Sequence, residues 1–182
     1  AAQTDWPHYG GDPQGTRYSG AAEITPANVG DLAEAWRFST GDLLRGKAAM
    51  EQSASEATPI IVGDSLVFCT PFNEVIALDP GSGALKWRFD AKIDLEQDPA
   101  NQFVCRGLAQ ADVGEGRCGR RVFMGTNDGR LVAIDAASGA PCTEFGDGGV
   151  VKIDVGMDLA WPGEFQITSP PVAADGVVVV GS

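Results

Sequence analysis

A single histidine, His8, occurs in the 182 residues, and no two of the four cysteines stand in a C-x-x-C pair. A zinc site needs clustered thiolates and imidazoles, so that chemistry is excluded. Basic residues are also scarce. Thirteen Lys and Arg face 25 Asp and Glu, for a formal charge of −12. Such a surface repels nucleic acid and anionic lipid, and neither is an expected partner. Long hydrophobic runs are missing as well. A stretch such as Val177-Val178-Val179-Val180 is strand-sized, far short of the about 20 residues of a membrane helix.

Glycine and proline are plentiful, at 24 and 11 residues, which suits many short strands joined by turns. The length suits one domain that buries roughly two-thirds of its surface. An even number of cysteines is compatible with two disulfides in an oxidising compartment. The chain begins Ala1-Ala2-Gln3 without Met. That fits a mature end left by signal-peptide cleavage, and equally an arbitrary boundary.

The sequence repeats itself. Ala77-Leu78-Asp79 aligns with Ala133-Ile134-Asp135, and Gly83 then meets Gly139. Upstream, Leu66-Val67-Phe68 meets Val122-Phe123-Met124. Ser169-Pro170-Pro171-Val172 begins a third copy, matching Thr58-Pro59-Ile60-Ile61, and Ala35-Trp36-Arg37-Phe38 mirrors Lys86-Trp87-Arg88-Phe89. The first unit holds four β-type runs, at 59–62, 66–70, 75–79 and 84–89, separated by turn residues. Four strands per unit at this spacing predict an all-β fold of β-propeller blades. The expected organisation is an opening segment with a clasp strand over 1–45, blades over 56–92 and 103–148, and the start of a third over 165–182. Within the repeated phrase, Asp79 is expected to accept backbone hydrogen bonds in its turn. Trp87 is expected to pack flat on the neighbouring blade rather than to stack on a ligand. Propellers close with about four to eight blades, so the remaining blades are expected from the same gene or another chain.

Several segments, in order, resemble the pyrroloquinoline-quinone-dependent dehydrogenases: "DWPHYGGDPQGTRYS", "ITPANVGDLAEAWRFSTGD", "SEATPIIVGDSLVFCTPFNEVIALDPGSGALKW", "VCRGLA", "NDGRLVAIDAASG" and "ITSPPVAADGVVVVGS". The resemblance covers nearly the whole chain and is greatest to the membrane-linked glucose, polyol and quinate branch. It implies an eight-bladed propeller whose last blade is completed by the first strand, which makes Trp36 part of a clasp. It implies pyrroloquinoline quinone on the axis with a Ca²⁺ ion, and oxidation of a sugar, polyol or related alcohol by hydride transfer. It further implies ubiquinone or cytochrome c as acceptor and a periplasmic or secreted location, with membrane association through parts outside this sequence. The base and most calcium ligands of the family lie past residue 182, so no aspartate here takes those roles. The isolated chain is expected to turn over nothing.

Residue by residue, the resemblance places Glu56 in "SEATP", Arg106 in "VCRGLA", and Thr168 and Ser169 in "ITSPP" at the quinone. A planar guanidinium suits the oxygens of an anionic tricarboxylate, and Arg106 could also pair with Glu56. Each has a plainer alternative: Glu56 as a turn cap ahead of its strand, Arg106 as a surface side chain, Thr168 as a capping hydroxyl before Pro170. The three stand at equivalent positions of successive blades, which itself points to an axial ligand.

Two departures bear on the substrate. Alcohol dehydrogenases of the family carry two adjacent cysteines where this chain has Phe103-Val104-Cys105, which favours the sugar and polyol branch. Some glucose dehydrogenases have a histidine where this chain has Phe72, which speaks against glucose as the substrate. His8 is read as structural or exposed, and Asp128 and Asp147 as turn residues. A competing function, from another class, is a non-catalytic propeller scaffold, which would need none of Glu56, Arg106 and Thr168.

Blade geometry pairs the cysteines. If each innermost strand runs away from the cofactor face, the second runs back toward it. Cys69, late in a second strand, and Cys105, early in the next innermost strand, then share that face. Cys118, ahead of a second strand, and Cys142, at the start of an outer strand, share the other. The expected bridges are Cys69–Cys105 and Cys118–Cys142. A Cys105–Cys118 bridge would join opposite strand ends, beyond the roughly 4.4–6.8 Å that a disulfide spans.

Overall fold

The computed structural model describes residues 6–182. The Ala1-Ala2-Gln3 start and Asp5 of the opening motif lie outside the described residues. Twelve strands are present among the described residues: β1 (Ser53–Ser55), β2 (Ile60–Val62), β3 (Ser65–Cys69), β4 (Glu74–Leu78), β5 (Leu85–Asp90), β6 (Phe103–Cys105), β7 (Ala109–Asp112), β8 (Arg120–Gly125), β9 (Arg130–Asp135), β10 (Val150–Lys152), β11 (Val172–Ala174) and β12 (Val177–Val179). Among the described residues, helix is confined to one short α turn, Lys47–Glu51, and two 3₁₀ turns. None is long and apolar enough to cross a membrane.

Strands β2-β3-β4-β5 form one antiparallel sheet, β7-β8-β9-β10 a second, and β11-β12 a hairpin. These are the two blades and the start of a third that the repeat predicts. The registers repeat too. Ala77 faces Val67 in the first sheet and Ala133 faces Phe123 in the second, the offset of 56 carried into structure.

Alternation with period two decides what each blade buries. Val67, Val75 and Ala77 of the first blade pack with Val122, Met124, Val132 and Ile134 of the second. The other side of the second blade gives Ala109, Phe123, Leu131 and Ala133 to a second cluster, with Ala173, Val178 and Val180 of the third. Strand β4 and all of β9 except Arg130 are buried, because each lies inside its four-stranded sheet and is covered on both faces, as the apolar, β-branched runs require.

Two parts differ from expectation. The outer strand of the second blade is Val150–Lys152, paired with Arg130–Val132, and not a strand beginning at Cys142. It therefore lies past residue 148. The segment "CTEFGDGG" between them forms turns, held by Phe145 N donating to Cys142 O and Gly149 N to Phe145 O. The stretch around Trp36, expected to hold the clasp strand of 1–45, carries no ladder among the described residues. An outer strand exists only where a neighbour supplies its hydrogen bonds. Trp36 is nonetheless docked, donating its Nε1–H to Pro80 O at 3.1 Å.

Both expected disulfides form. Cys69–Cys105 ties the first blade to β6, and Cys118–Cys142 closes the far side of the second blade, with Cα separations of 6.0 and 5.7 Å. Cys142 reaches Cys118 from a turn rather than from a strand, and the shared face that the pairing needed is kept.

Candidate functional site

Short leads precede the innermost strand of each blade, and they run side by side. Strand β1 pairs in parallel with β6: Ser53 faces Phe103, Ala54 faces Val104 and Ser55 faces Cys105. The pairing continues beyond the strands, with Thr58 N donating to Arg106 O at 3.0 Å and Arg106 N to Thr168 O at 3.3 Å. Arg106 thus leads the innermost strand β7 rather than opening it.

At the ends of these leads Glu56, Arg106 and Thr168 meet. The Arg106 guanidinium pairs through Nε with Glu56 Oε2 at 2.9 Å. Through Nη1 it donates to Thr168 Oγ1 at 2.7 Å. Three successive blades therefore contribute one side chain each to a single polar junction. The Glu56 side chain is 42% exposed and that of Arg106 32%, so solvent screens the pair and its contribution to stability is small, roughly 0–1 kcal/mol. Ser169 is exposed, and no hydrogen bond joins it to the other three among the described residues.

The leads to the junction are tied to their surroundings by several contacts. Phe103 N donates to Gln52 O at 2.7 Å, the Phe103 ring lies 5.8 Å from that of Phe72, and Cys105 is bridged to Cys69. Phe72 itself is buried, with the Arg45 guanidinium 5.2 Å over its ring. Arg45 in turn pairs with the buried Glu74. On the other side of the leads, Gly107 lies against Tyr9, and a Cβ there would stand 2.9 Å from the Tyr9 ring. The opening segment is anchored by Ile61 N donating to Trp6 O at 2.8 Å. His8 and Tyr9 line a cavity of about 370 Å³ between this segment and residues 108–109 and 170–173. His8 is half-buried and its carbonyl accepts from Gly11 N, a structural role. Asp128 pairs with Arg130, and Asp147 N donates to Val150 O; both serve turns.

The profile of the family described as "PQQ: Glucose/ethanol/alcohol dehydrogenase, beta-propeller domain" matches residues 6–182. The chain belongs to this family. It is 37% identical over 194 residues to quinoprotein glucose dehydrogenase A of Acinetobacter calcoaceticus, covering 98% of this chain and 24% of that protein. It is 39% identical over 183 residues to the glycerol dehydrogenase large subunit of Gluconobacter thailandicus, again 98% and 24%. Among solved structures it superposes on quinohemoprotein alcohol dehydrogenase from Comamonas testosteroni with a TM-score of 0.76 at 30% identity, over 100% of this chain and 23% of that one. The chain thus spans about a quarter of the length of these relatives. Its fold is part of the family's propeller, and the ring is not closed within it.

A quinone with carboxylate groups, which membership of this PQQ family implies, fits the donor set at the junction. Two contacts of the Arg106 guanidinium are to Glu56 and Thr168, out of five N–H donors available to such a group. The Thr168 hydroxyl accepts from Arg106 and so keeps its own proton free to donate. The Arg106 side chain is partly exposed, so an anion in solvent can reach it.

One feature of the site was not foreseen. The turn amide Asn127 is buried and bonded to both the β6 lead and the lead to Thr168. In sequence it stands in "TNDG", where turn chemistry accounts for it fully, and no periodicity marks it out.

Proposed function

We propose that this chain is the N-terminal part of the propeller of a periplasmic quinoprotein dehydrogenase that oxidises a sugar, polyol or related alcohol. The observation that carries the reading is the Glu56–Arg106–Thr168 junction, built at the ends of three adjacent leads in a member of a PQQ family. Arg106 and Thr168 bind the quinone carboxylates or carbonyl oxygens, and a charge-assisted contact of this kind is worth about 1.5–3 kcal/mol. Glu56 accepts from Arg106 and orients its guanidinium. Ser169 adds a hydroxyl beside Thr168. When bound, the quinone would supply the hydride acceptor for the alcohol carbon, and a Ca²⁺ ion would supply Lewis acidity. The proton acceptor and most of the calcium ligands are assigned to residues past 182. The chain's own work is to bind, orient and enclose.

Sugar or polyol specificity is supported by the single Cys105, and Phe72 speaks against glucose itself as the substrate. Both positions are built into packing here, Cys105 through its bridge to Cys69 and Phe72 against Phe103 and Arg45. Ubiquinone or cytochrome c is the proposed electron acceptor, and two disulfides are in keeping with an oxidising compartment. A non-catalytic scaffold would leave the three-residue junction without a task. The test is titration of the full-length apo-enzyme and its Arg106→Ala variant with pyrroloquinoline quinone. The variant should bind between about ten and a hundred times more weakly, and equal affinities would remove Arg106 from the site.

A further inference from the structure

Each residue of β6 ahead of Arg106 is held by a different device. Phe103 packs its ring at a tilt against Phe72, Cys105 is bridged to Cys69, and the amide of Val104 donates to Asn127 Oδ1 at 3.5 Å. The same Asn127 oxygen accepts from Gln166 Nε2 at 3.3 Å. Val104 stands two residues before Arg106, and Gln166 two residues before Thr168. One carbonyl oxygen therefore touches both leads at corresponding positions.

Asn127 is itself anchored to the first blade. Its backbone N–H donates to Asn73 Oδ1 at 2.7 Å, and its Nδ2 to Pro71 O at 3.0 Å. Those partners leave only one orientation for the amide. Pro71 O can only accept and Val104 N–H can only donate. Asn127 is 4% exposed, Gln166 7%, and Asn73 fully buried. Gln166 extends the network to the strand's approach, donating to Gln102 O at 3.4 Å and accepting from Asn101 N at 3.3 Å. The side-chain amides of Asn127 and Gln166 are each bonded at both polar atoms, while Asn73 Nδ2 is buried without a partner; buried polar bonds of this kind hold what they touch, because losing one is costly.

We propose that Asn127 is a positioning residue of the quinone site: its side-chain amide holds together the two leads from which Arg106 and Thr168 project. The inference rests on the reading of the Glu56–Arg106–Thr168 junction given above. Asn127 touches neither of the two ligand-facing side chains through these bonds. It acts by keeping Val104 and Gln166 at a set spacing, and so keeping Arg106 Nη1 within reach of Thr168 Oγ1.

The experiment uses the full-length apo-enzyme, titrated with pyrroloquinoline quinone and followed by quenching of tryptophan fluorescence. The thermal midpoint of each variant is read without quinone. Asn127→Ala should weaken quinone binding roughly tenfold. In an Arg106→Ala background the same change should add little, because both act on one contact. Wild-type affinity for Asn127→Ala, or losses that simply multiply in the double variant, would overturn the inference. Should Asn127→Ala not fold, Gln166→Ala cuts only the lead to Thr168 and should weaken binding roughly threefold; no change would overturn it equally. Trp87→Phe, on the opposite face of the blades, is the comparison for stability. If it weakens quinone binding as much as Asn127→Ala at a similar loss of thermal midpoint, Asn127 acts through stability alone and the inference fails. Wild-type affinity for Arg106→Ala would instead sink the reading of the junction itself.

Discussion

The indole of Trp87 lies on Gly139. Its Nε1–H donates to Ala136 O at 3.1 Å, and a Cβ at Gly139 would stand 2.6 Å from the ring. One blade earlier Trp36 does the same to Gly83 and Pro80, at 2.5 and 3.1 Å. The glycine of the repeated phrase therefore meets two demands, a left-handed backbone and room for the neighbour's ring. Trp87→Ala should destabilise the protein by about 3–5 kcal/mol. Gly139→Ala should cost more than Gly148→Ala. Gly148 has φ +62 with open space beyond its Cα, so only the backbone cost of about 1–2 kcal/mol applies there. Denaturant midpoints of the three variants check this, and equal midpoints for the two glycine changes would show that the indole yields freely.

Asp135, at the start of the same phrase, accepts from Ser138 N at 2.9 Å, Ser138 Oγ at 2.6 Å and Cys118 N at 2.7 Å. Burial pushes its carboxyl up, but the Ser138 hydroxyl and the amides of Cys118 and Ser138 outweigh it and hold the group below the usual aspartate value. A folded-state value below the unfolded one means that the unfolded chain binds more protons on acidification. The stabilisation is thus whole at neutral pH and fades as pH falls through the usual aspartate range toward the lowered value. Thermal midpoints against pH should show Asp135→Asn less stable at pH 7 and less sensitive to acid than the parent. Parallel curves would remove Asp135 as a source of acid lability.

The blades were legible because their cause is local. The 56-residue offset, the period-two apolar runs and the Asp-to-Gly turns each stem from residues close in sequence, and the structure repeats them strand for strand. That Glu56, Arg106 and Thr168 come together was legible because the leads recur with the blades. Strand β10 could not be placed, because the second unit replaces Trp87 with Thr143 and sends its chain through the turns of 142–149. The parallel pairing of β1 with β6 joins residues 50 apart and leaves no pattern in either segment. Asn127 was hidden by a turn that explains an asparagine without any site.

Charge and shape at the junction can be separated. Arg106→Lys keeps the charge but loses the planar fork that meets Glu56 through Nε and Thr168 through Nη1. Lysine acts as a point charge on a flexible stem. Its quinone affinity should therefore fall between those of the parent and Arg106→Ala. Affinity equal to the parent would mean that only charge matters at this position.

The two disulfides sit on opposite faces and should answer differently to removal. Cys118–Cys142 closes 24 residues within the second blade, far from the leads, whereas Cys69–Cys105 spans 36 residues and ends beside Arg106. Each constrains the unfolded chain, worth about 2–4 kcal/mol in small domains. A Cys118→Ser/Cys142→Ser variant should lose stability and bind quinone as the parent does. A Cys69→Ser/Cys105→Ser variant should lose comparable stability and also bind quinone more weakly, because the residue preceding Arg106 is freed from the first blade. Peptide mapping without reduction should recover the two bridges as paired here. If both double variants bind quinone like the parent, the tie at Cys105 serves the fold alone and Arg106 is held by the backbone bonds of its neighbours, Thr58 N to Arg106 O and Arg106 N to Thr168 O.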